Sequence, residues 1–282
     1  GQKVCKYHRI RKQALDEFLN NGLPTRKNEE WKYTNIGFLN KIEFNFPKPV
    51  PSEIDEEIIK ECTFKGLDCY KIVLINGQFS EKYSDNVTEE GIEIISLKKA
   101  LDEKPNIVEK DLGMHIDYTG HALAAINTAF TFDGVYIEIG NNVQASKPIH
   151  IININDSREE ALFVNPRKLI KTGTSSNSMI LETNHTLGEY SGITNTAAEI
   201  ILGENTHVDY YKIQDDSENS IYFGYTKAVQ AQNSTFNDTT ISLHGKFVRN
   251  NLNTSHKGSN CETYYNGFFY TDGNQFVDNH TF

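Results

Sequence analysis

The feature that most constrains this chain is a tract of short alternating segments that runs from about Asp133 to Phe282. In these segments apolar residues recur at every second position, as they do at Val135, Ile137 and Ile139. A period of two over about four to six residues is typical of a β-strand with one buried face. We therefore predict that this half of the chain is almost entirely β-structure.

A similar corner recurs between the predicted strands. A glycine followed by small or polar residues stands just before a strand at Gly203–Val208, Gly258–Glu262 and Gly273–Val277. Recurring corners between short strands are typical of a solenoid, in which each coil buries its inner face by stacking on the next. The pattern favours a right-handed parallel β-helix over residues 119–282. A β-sandwich or jelly roll also has many short strands and stays open on pattern alone.

The preceding residues, 1–118, are predicted to form a helical and mixed α/β region. Residues 1–22 have the apolar spacing of an amphipathic helix, and Ser52 could cap a weaker helix that ends near Lys60. Residues 104–118 are polar, which is typical of a linker. Residues 121–130 are apolar and alanine-rich, which predicts a buried helix that leads into the β tract.

Composition excludes several classes of function. The formal net charge is −10, which argues against a non-specific nucleic-acid surface and against docking on an anionic membrane. No apolar run approaches the roughly 20 residues that span a bilayer, and the basic N-terminus lacks the apolar core of a secretion signal. We therefore predict a cytoplasmic protein. The four cysteines have no zinc-site spacing and are expected to be reduced thiols: Cys5, Cys62, Cys69 and Cys261.

Several side chains in the β tract are candidates for chemistry, and each has a simpler structural interpretation. Stacked coils could align imidazoles and a thiol as metal ligands, although solvated or hydrogen-bonded side chains are the better prediction: His185, His207, His244, His256, His280 and Cys261. Asp215, Asp216 and Glu218 lack the alternate spacing of a calcium loop. Asp209, Lys212 and Asp215 could imitate the carboxylates and base of a β-solenoid polysaccharide lyase.

Nucleotide-binding and nucleophile motifs are absent from the sequence, so ATP hydrolysis by this chain is not expected. We predict that the protein is not an enzyme. We assign no catalytic, cofactor-binding or metal-binding residue from the sequence.

One segment stands out before the β tract. Residues 22–34 read GLPTRKNEEWKYT, in which Asn28 could cap a short helix and Trp31 is the only tryptophan of the chain. Physically the segment is a strap with aromatic anchors. Trp31 is predicted to pack on the core of its own domain.

This segment closely resembles the N-terminal signature of the SufD family, whose members belong to the SUF system of iron–sulfur cluster assembly. Further pieces with the same resemblance follow in the same order: Leu123–Gly134, Pro148–Ile151, Asn165–Arg167, Ile180–Glu182 and Asn250–Asn253. The first motif favours SufD over the related subunit SufB, with which the other pieces are shared.

The resemblance implies an N-terminal helical region, a right-handed parallel β-helix and a C-terminal helical region. It also implies a non-catalytic scaffold that pairs with a SufB-like subunit through the β-helix. The family binds a SufC-like ABC-type ATPase through its C-terminal helices and supports iron acquisition. No tightly bound cofactor is implied for this chain; iron or an iron–sulfur cluster would be held transiently by the whole complex.

Members of the family extend beyond the position that corresponds to Phe282. The implied ATPase-binding helices, and the Cys and His positions tied to cluster chemistry, lie in that further part. No site residue of the family is therefore carried onto this sequence, and residues 1–282 are expected not to capture the ATPase. An exposed strand edge is expected to favour self-association. A β-solenoid carbohydrate-active enzyme is the alternative function.

Overall fold

The structure, a computed structural model, describes residues 6–49 and 53–282. Its strands are β1 Tyr70–Ile75, β2 Gln78–Phe79, β3 Ile92–Ser96, β4 Gly134–Ile139, β5 Ile149–Asp156, β6 Phe163–Val164, β7 Arg167–Thr172, β8 Asn177–Leu187, β9 Ile193–Leu202, β10 His207–Gln214, β11 Ile221–Gln230, β12 Thr235–Ser242, β13 Phe247–His256, β14 Glu262–Phe269 and β15 Phe276–Thr281. Its α-helices are α1 Lys6–Asn21, α2 Glu56–Glu61, α3 Leu97–Glu103, α4 Pro105–Val108 and α5 Ala122–Phe130. Two short 3₁₀ helices span Glu29–Trp31 and Gly37–Lys41.

The strands form two sheets that share the same winding path. The seven-stranded sheet has the order β14-β12-β10-β8-β5-β1-β2, and the eight-stranded sheet has the order β15-β13-β11-β9-β7-β4-β3. From β7 onward successive strands alternate between the sheets, and neighbours within each sheet pair in parallel. The result is a β-solenoid of about five turns, as the alternating pattern predicted. The sandwich alternative is wrong, because its sheets are built from antiparallel neighbours.

Inward and outward side chains alternate along each strand of the solenoid. In β10, for example, Val208, Tyr210 and Lys212 are buried inside, while their neighbours on the outer face are half-buried. One half of the interior is a column of aliphatic and aromatic side chains contributed by successive coils: Ile72, Leu74, Val135, Ile137, Ile139, Ile149, Ile151, Ile170, Ile180, Ala198, Ile200, Leu202, Val208, Tyr210, Ala228 and Phe236. Stacking removes this column from water, which a single coil cannot do.

The corner from the eight-stranded to the seven-stranded sheet carries a ladder of asparagines. Asn205, Asn233 and Asn260 have φ values of 56°, 58° and 56°, in the left-handed region that Asn tolerates better than most residues. The Nδ2 of Asn233 donates to Oδ1 of Asn205 at 2.9 Å, and Nδ2 of Asn260 donates to Oδ1 of Asn233 at 3.0 Å. Two of the three predicted corners are of this kind. The third differs, because Gly273 itself has the positive φ and lies at the other corner, between β14 and β15.

The N-terminal half covers the outer faces of the sheets. Trp31, Leu39 and Leu123 pack with Ile193, Ile221, Phe223 and Phe247 on the outer face of the eight-stranded sheet. The prediction that Trp31 packs on the chain's own core is confirmed, and so is the buried helix, since all but the last residue of α5 is buried. The segment around α2 covers part of the outer face of the seven-stranded sheet: Ile54, Ile59 and Cys62 against Val73, Ile75, Ile152 and Ile154.

Some local predictions were wrong. Residues 104–118 are not a linker, because α4 lies within them and Val108, Leu112 and Ile116 are buried. These buried apolar residues are widely spaced among polar ones, so the sequence did not indicate their burial. Asn28 does precede the short helix Glu29–Trp31, but its Oδ1 accepts from the N–H of Thr25, at 2.9 Å, and not from the helix.

Other predictions concern residues outside the described ranges or the boundary between the two predicted regions. Asp55 caps α2 by accepting from the N–H of Glu57, whereas the predicted cap, Ser52, lies outside the described residues, as does Cys5. Strands β1 and β3, which precede residue 119, extend the two sheets of the solenoid. The division of the chain into regions 1–118 and 119–282 stays a prediction. Within the described ranges, no helix is long and apolar enough to cross a bilayer.

Candidate functional site in and around the solenoid core

The interior of the solenoid contains a buried carboxylate at the centre of a hydrogen-bond network. Oε1 of Glu182 accepts from Nζ of Lys168 at 2.7 Å, from Asn153 at 3.1 Å and from Asn184 at 3.3 Å. Its other oxygen accepts from the hydroxyl of Tyr210. Asn153 on β5 and Tyr210 on β10 belong to the strands on either side of β8, so the carboxylate ties adjacent coils together.

The surroundings of this network determine its charge state. Burial alone raises the pKa of Glu182, but the Lys168 cation and the hydrogen bonds from Lys168 and Tyr210 outweigh burial, so the pKa lies below its ordinary value. Burial lowers the pKa of Lys168, which Glu182 partly offsets. Lys168 and Glu182 lie in the part of the interior where the inward-facing side chains are polar. The aliphatic column lies next to this part.

A second pair of opposite charges lies one coil further along the same interior. Lys212 is the register partner of Glu182, and Asp238 is the register partner of Tyr210. Lys212 is only 1% exposed and Asp238 is fully buried. Burial lowers the pKa of Lys212 and raises the pKa of Asp238, while each charge acts on the other in the opposite direction.

A third buried charge pair lies outside the solenoid, under the N-terminal helices. Nη2 of Arg167 donates to Oε2 of Glu199 at 2.6 Å, and both side chains are wholly buried. Glu199 also accepts from the backbone N–H groups of Gly113 and His115, at 2.8 and 2.9 Å. Nη1 of Arg167 donates to Asn127 of α5 at 3.0 Å. This cluster joins the loop after α4, helix α5 and strands β7 and β9.

The strap that contains Trp31 has a comparable anchor. The guanidinium of Arg249, on β13, lies 4.0 Å from the centroid of the Trp31 ring, in cation–π geometry. Its Nη2 donates to the backbone oxygen of Glu30 at 2.9 Å, and its Nη1 donates to Asp278 of β15. Thr34 also donates to Asp278. The strap is therefore held on the outer face of the eight-stranded sheet by one buried arginine.

The candidate metal ligands predicted from the sequence are placed apart from one another. His207 contacts Asp209 at 3.1 Å, and Nδ1 of His244 lies 2.6 Å from Asp215. The remaining candidates lie at different places along the coils. His256 contacts Thr263, and His280 lies 3.7 Å from Asp278. Burial lowers the pKa of His185, which Asp216 partly offsets, and the Cys261 thiol donates to backbone oxygens. In the described part of the chain, no three His, Cys, Asp or Glu side chains converge in a way that could hold a metal.

The carboxylates and base considered for a polysaccharide lyase do not form a site. Asp209 lies on the outer face of β10, where it also accepts from Asn237 at 2.7 Å, whereas Lys212 points into the solenoid. Asp215 pairs with His244 beyond the end of β10. Asp216 is buried and accepts from Thr186 and Gln214, at 2.8 Å each, as a structural carboxylate.

The buried charges were missed by the sequence analysis, with Lys212 named only for a different role. Arg167 and Glu182 occur in the short pieces on which the family resemblance rests, but nothing in their spacing indicates burial. A charged residue within an alternating strand is normally interpreted as facing water. Because they are almost unexposed, these groups are not placed to meet a dissolved substrate. They hold coils and N-terminal segments together.

Comparison with known proteins identifies the family to which the chain belongs. A family model described as the SufBD protein N-terminal region matches residues 3–151, and one described as the SUF system FeS cluster assembly, SufBD core domain, matches residues 152–282. The chain belongs to the SufBD family. The resemblance predicted from the GLPTRKNEEWKYT segment is thereby confirmed.

Three relatives support the assignment. An iron–sulfur cluster assembly SufBD family protein of Synechocystis sp. is 24% identical over 92% of the chain, and the iron–sulfur cluster assembly protein SufD of Escherichia coli is 22% identical over 95%. The SufD protein of Bacillus subtilis is 24% identical over 71% of the chain. The chain spans 58%, 60% and 46% of these relatives' own lengths, less than two thirds in each case.

Proposed function

We propose that the chain is a non-catalytic scaffold subunit of the SUF iron–sulfur cluster assembly machinery, acting in the cytoplasm. The observation that carries the proposal is the match of both SufBD family regions, which together extend over residues 3–282. The geometry supports it: the chain forms about five stacked coils, and the buried charges of Lys168, Glu182, Arg167 and Glu199 bind one another and not a substrate. The carbohydrate-active alternative is not supported, since Asp209 and Lys212 face opposite sides of β10.

The proposed partners are a SufB-like subunit, which pairs with the solenoid, and a SufC-like ABC-type ATPase. The outer face of the seven-stranded sheet offers the first partner two exposed aromatic side chains on β14, Tyr264 and Phe268. Aromatic side chains are enriched where proteins bind one another. In isolation the same aromatic pair is expected to favour self-association.

Iron or a cluster would be held by the assembled complex, and the chain itself is proposed to bind no cofactor tightly. Co-expression with SufB-like and SufC-like proteins tests the proposal. The expected result is a complex with the SufB-like subunit that survives size-exclusion chromatography with light scattering.

A matched variant sharpens the test. Tyr264→Glu with Phe268→Glu places charge on this aromatic pair, whereas Tyr190→Glu changes an exposed aromatic residue away from it. The first variant should lose the SufB-like subunit and the second should keep it, with unchanged circular dichroism for both. Failure of the unaltered chain to bind any SUF component, or turnover of a polysaccharide by it, would contradict the proposal.

A further inference from the structure

The polar half of the solenoid interior contains side-chain atoms that the protein itself does not satisfy. Among the described residues, no hydrogen-bond partner lies within reach of Nζ of Lys212, the hydroxyl of Tyr222, Oδ2 of Asp238 or Oδ1 of Asn250. All four side chains are at most 1% exposed. Leaving a buried polar group unsatisfied is costly, and leaving a charge unsatisfied is costlier still.

The four side chains lie in one part of the interior: burial raises the pKa of Tyr222 on one sheet, and Asp238 on the other sheet is close enough to contribute to raising it. Lys212 and Asp238 project inward from adjacent strands β10 and β12, and Asp238 is the acidic group that acts most strongly on Lys212. Tyr222 and Asn250 project inward from β11 and β13 of the facing sheet. They meet above Gly224: a Cβ at Gly224 would lie 2.8 Å from Cε1 of Tyr222 and 3.0 Å from Oδ1 of Asn250. The missing side chain of Gly224 therefore leaves space for the Tyr222 ring.

The chemistry of these groups selects the ligand. A metal cation would meet the Lys212 ammonium, and an anion would meet the Asp238 carboxylate and the Asn250 carbonyl oxygen. Water can donate to the two oxygens and accept from Lys212 and Tyr222 at the same time. Buried waters in proteins typically make about three hydrogen bonds to groups that would otherwise be unsatisfied.

We propose that Lys212, Tyr222, Asp238 and Asn250 form an internal hydration site, in which ordered water bridges the opposite charges of two adjacent coils. The neighbouring pair provides the contrast. Lys168 is equally buried, yet its Nζ already contacts Glu182 and Thr196. Lys168 therefore has protein partners, whereas Lys212 has water as its partner. This inference is independent of the proposed function.

Nuclear magnetic resonance of the full chain tests the proposal directly, with deuterated protein and ¹⁵N-labelled lysine. The Lys212 ammonium protons should show a cross-relaxation peak to long-lived water, and those of Lys168 should not. Lys212→Met identifies the Lys212 signal by its loss. If that variant fails to fold, Asp238→Asn identifies the signal by a shift that Lys168 does not share.

A crystal structure of the unaltered chain supplies the second measurement. Density for water is expected within about 3.2 Å of both Nζ of Lys212 and Oδ2 of Asp238. A direct Lys212–Asp238 contact without water, an ion at the site, or equal water cross-peaks for both lysines would overturn the proposal.

Discussion

Glu182 and Glu199 are both buried carboxylates on the solenoid, but they are stabilised by different kinds of donor. Glu199, on the outer face, accepts from two backbone N–H groups and from Arg167. Glu182, in the interior, accepts only from side chains. The reason is that parallel ladders occupy the backbone donors of the coils, whereas the loop after α4 has N–H groups free to bind a carboxylate.

The difference separates two kinds of cohesion in the molecule. Charges on the outer face attach the N-terminal segments to the solenoid, and charges in the interior connect one coil to the next. Where the described part of the protein leaves polar side chains without partners in the interior, as it does Lys212, water is the remaining partner. Four predictions can break or sharpen this comparison.

The largest effect is expected at the outer-face pair. Glu199→Ala leaves Arg167 buried without its anion and removes the acceptor for Gly113 and His115, so the free energy of unfolding should fall by about 3–5 kcal/mol. Chemical denaturation measures this loss. Amide hydrogen exchange should increase in residues 113–130 while the coil corners stay protected. Replacing both charges, with Arg167→Met and Glu199→Leu, should cost less than Glu199→Ala; an equal or larger cost would contradict the assignment.

The Trp31 strap should show the next largest effect. Trp31→Ala removes a ring that is 7% exposed and leaves Arg249 without its aromatic face, so we expect a loss of about 3 kcal/mol. Limited proteolysis should then cut the chain between residues 22 and 35. Trp31→Phe, which retains an aromatic face, is the matched control and should be cut more slowly. Unchanged protease resistance in the Ala variant would show that the strap is held by other contacts.

A pH dependence tests the outer face of the seven-stranded sheet, where an ionisable group is kept neutral. Burial, with a smaller contribution from His185, lowers the pKa of His150 from 6.5 to about 4. Because the folded-state pKa lies below the unfolded one, stability is complete above pH 6.5 and is lost as the pH falls toward 4, by about 3 kcal/mol in all. Denaturation between pH 7 and pH 4 measures the slope. His150→Gln cannot titrate there, and a slope equal to that of the unaltered chain would refute the prediction.

The corner ladder should give the smallest effect, because it is exposed. Asn233→Ala places a Cβ-bearing residue without a local hydrogen bond at φ 58° and removes both amide contacts, for an expected loss of about 1–2 kcal/mol. Asn233→Gly keeps the backbone conformation and should cost less. Thermal unfolding of the two variants separates the stability that comes from the backbone conformation from the stability that comes from the ladder hydrogen bonds. If Gly costs more than Ala, the left-handed backbone is not what Asn233 provides.

Much of the fold could be predicted from the residues. The alternation at Val135, Ile137 and Ile139 indicated strands, and the Gly-x-Asn corners indicated coils, because both depend on local backbone preferences. The apolar, alanine-rich run at residues 121–130 indicated a buried helix for the same reason. By contrast, Val108, Leu112 and Ile116 were predicted to lie in a linker. The burial of Val108 and Leu112 depends on α1, β4 and β7, and that of Ile116 depends on α5 and β9, most of which are distant in sequence.

By itself the sequence determined the β class, the corners and the resemblance to SufBD proteins. Only the tertiary structure decided which polar positions face inward. Lys168 and Glu182 are 14 residues apart and lie in different sheets, yet winding of the chain brings them within 2.7 Å. A period of two specifies that alternate side chains share a face, but it does not specify which face is enclosed. That is set by the stacking of coils, which is a property of the whole chain.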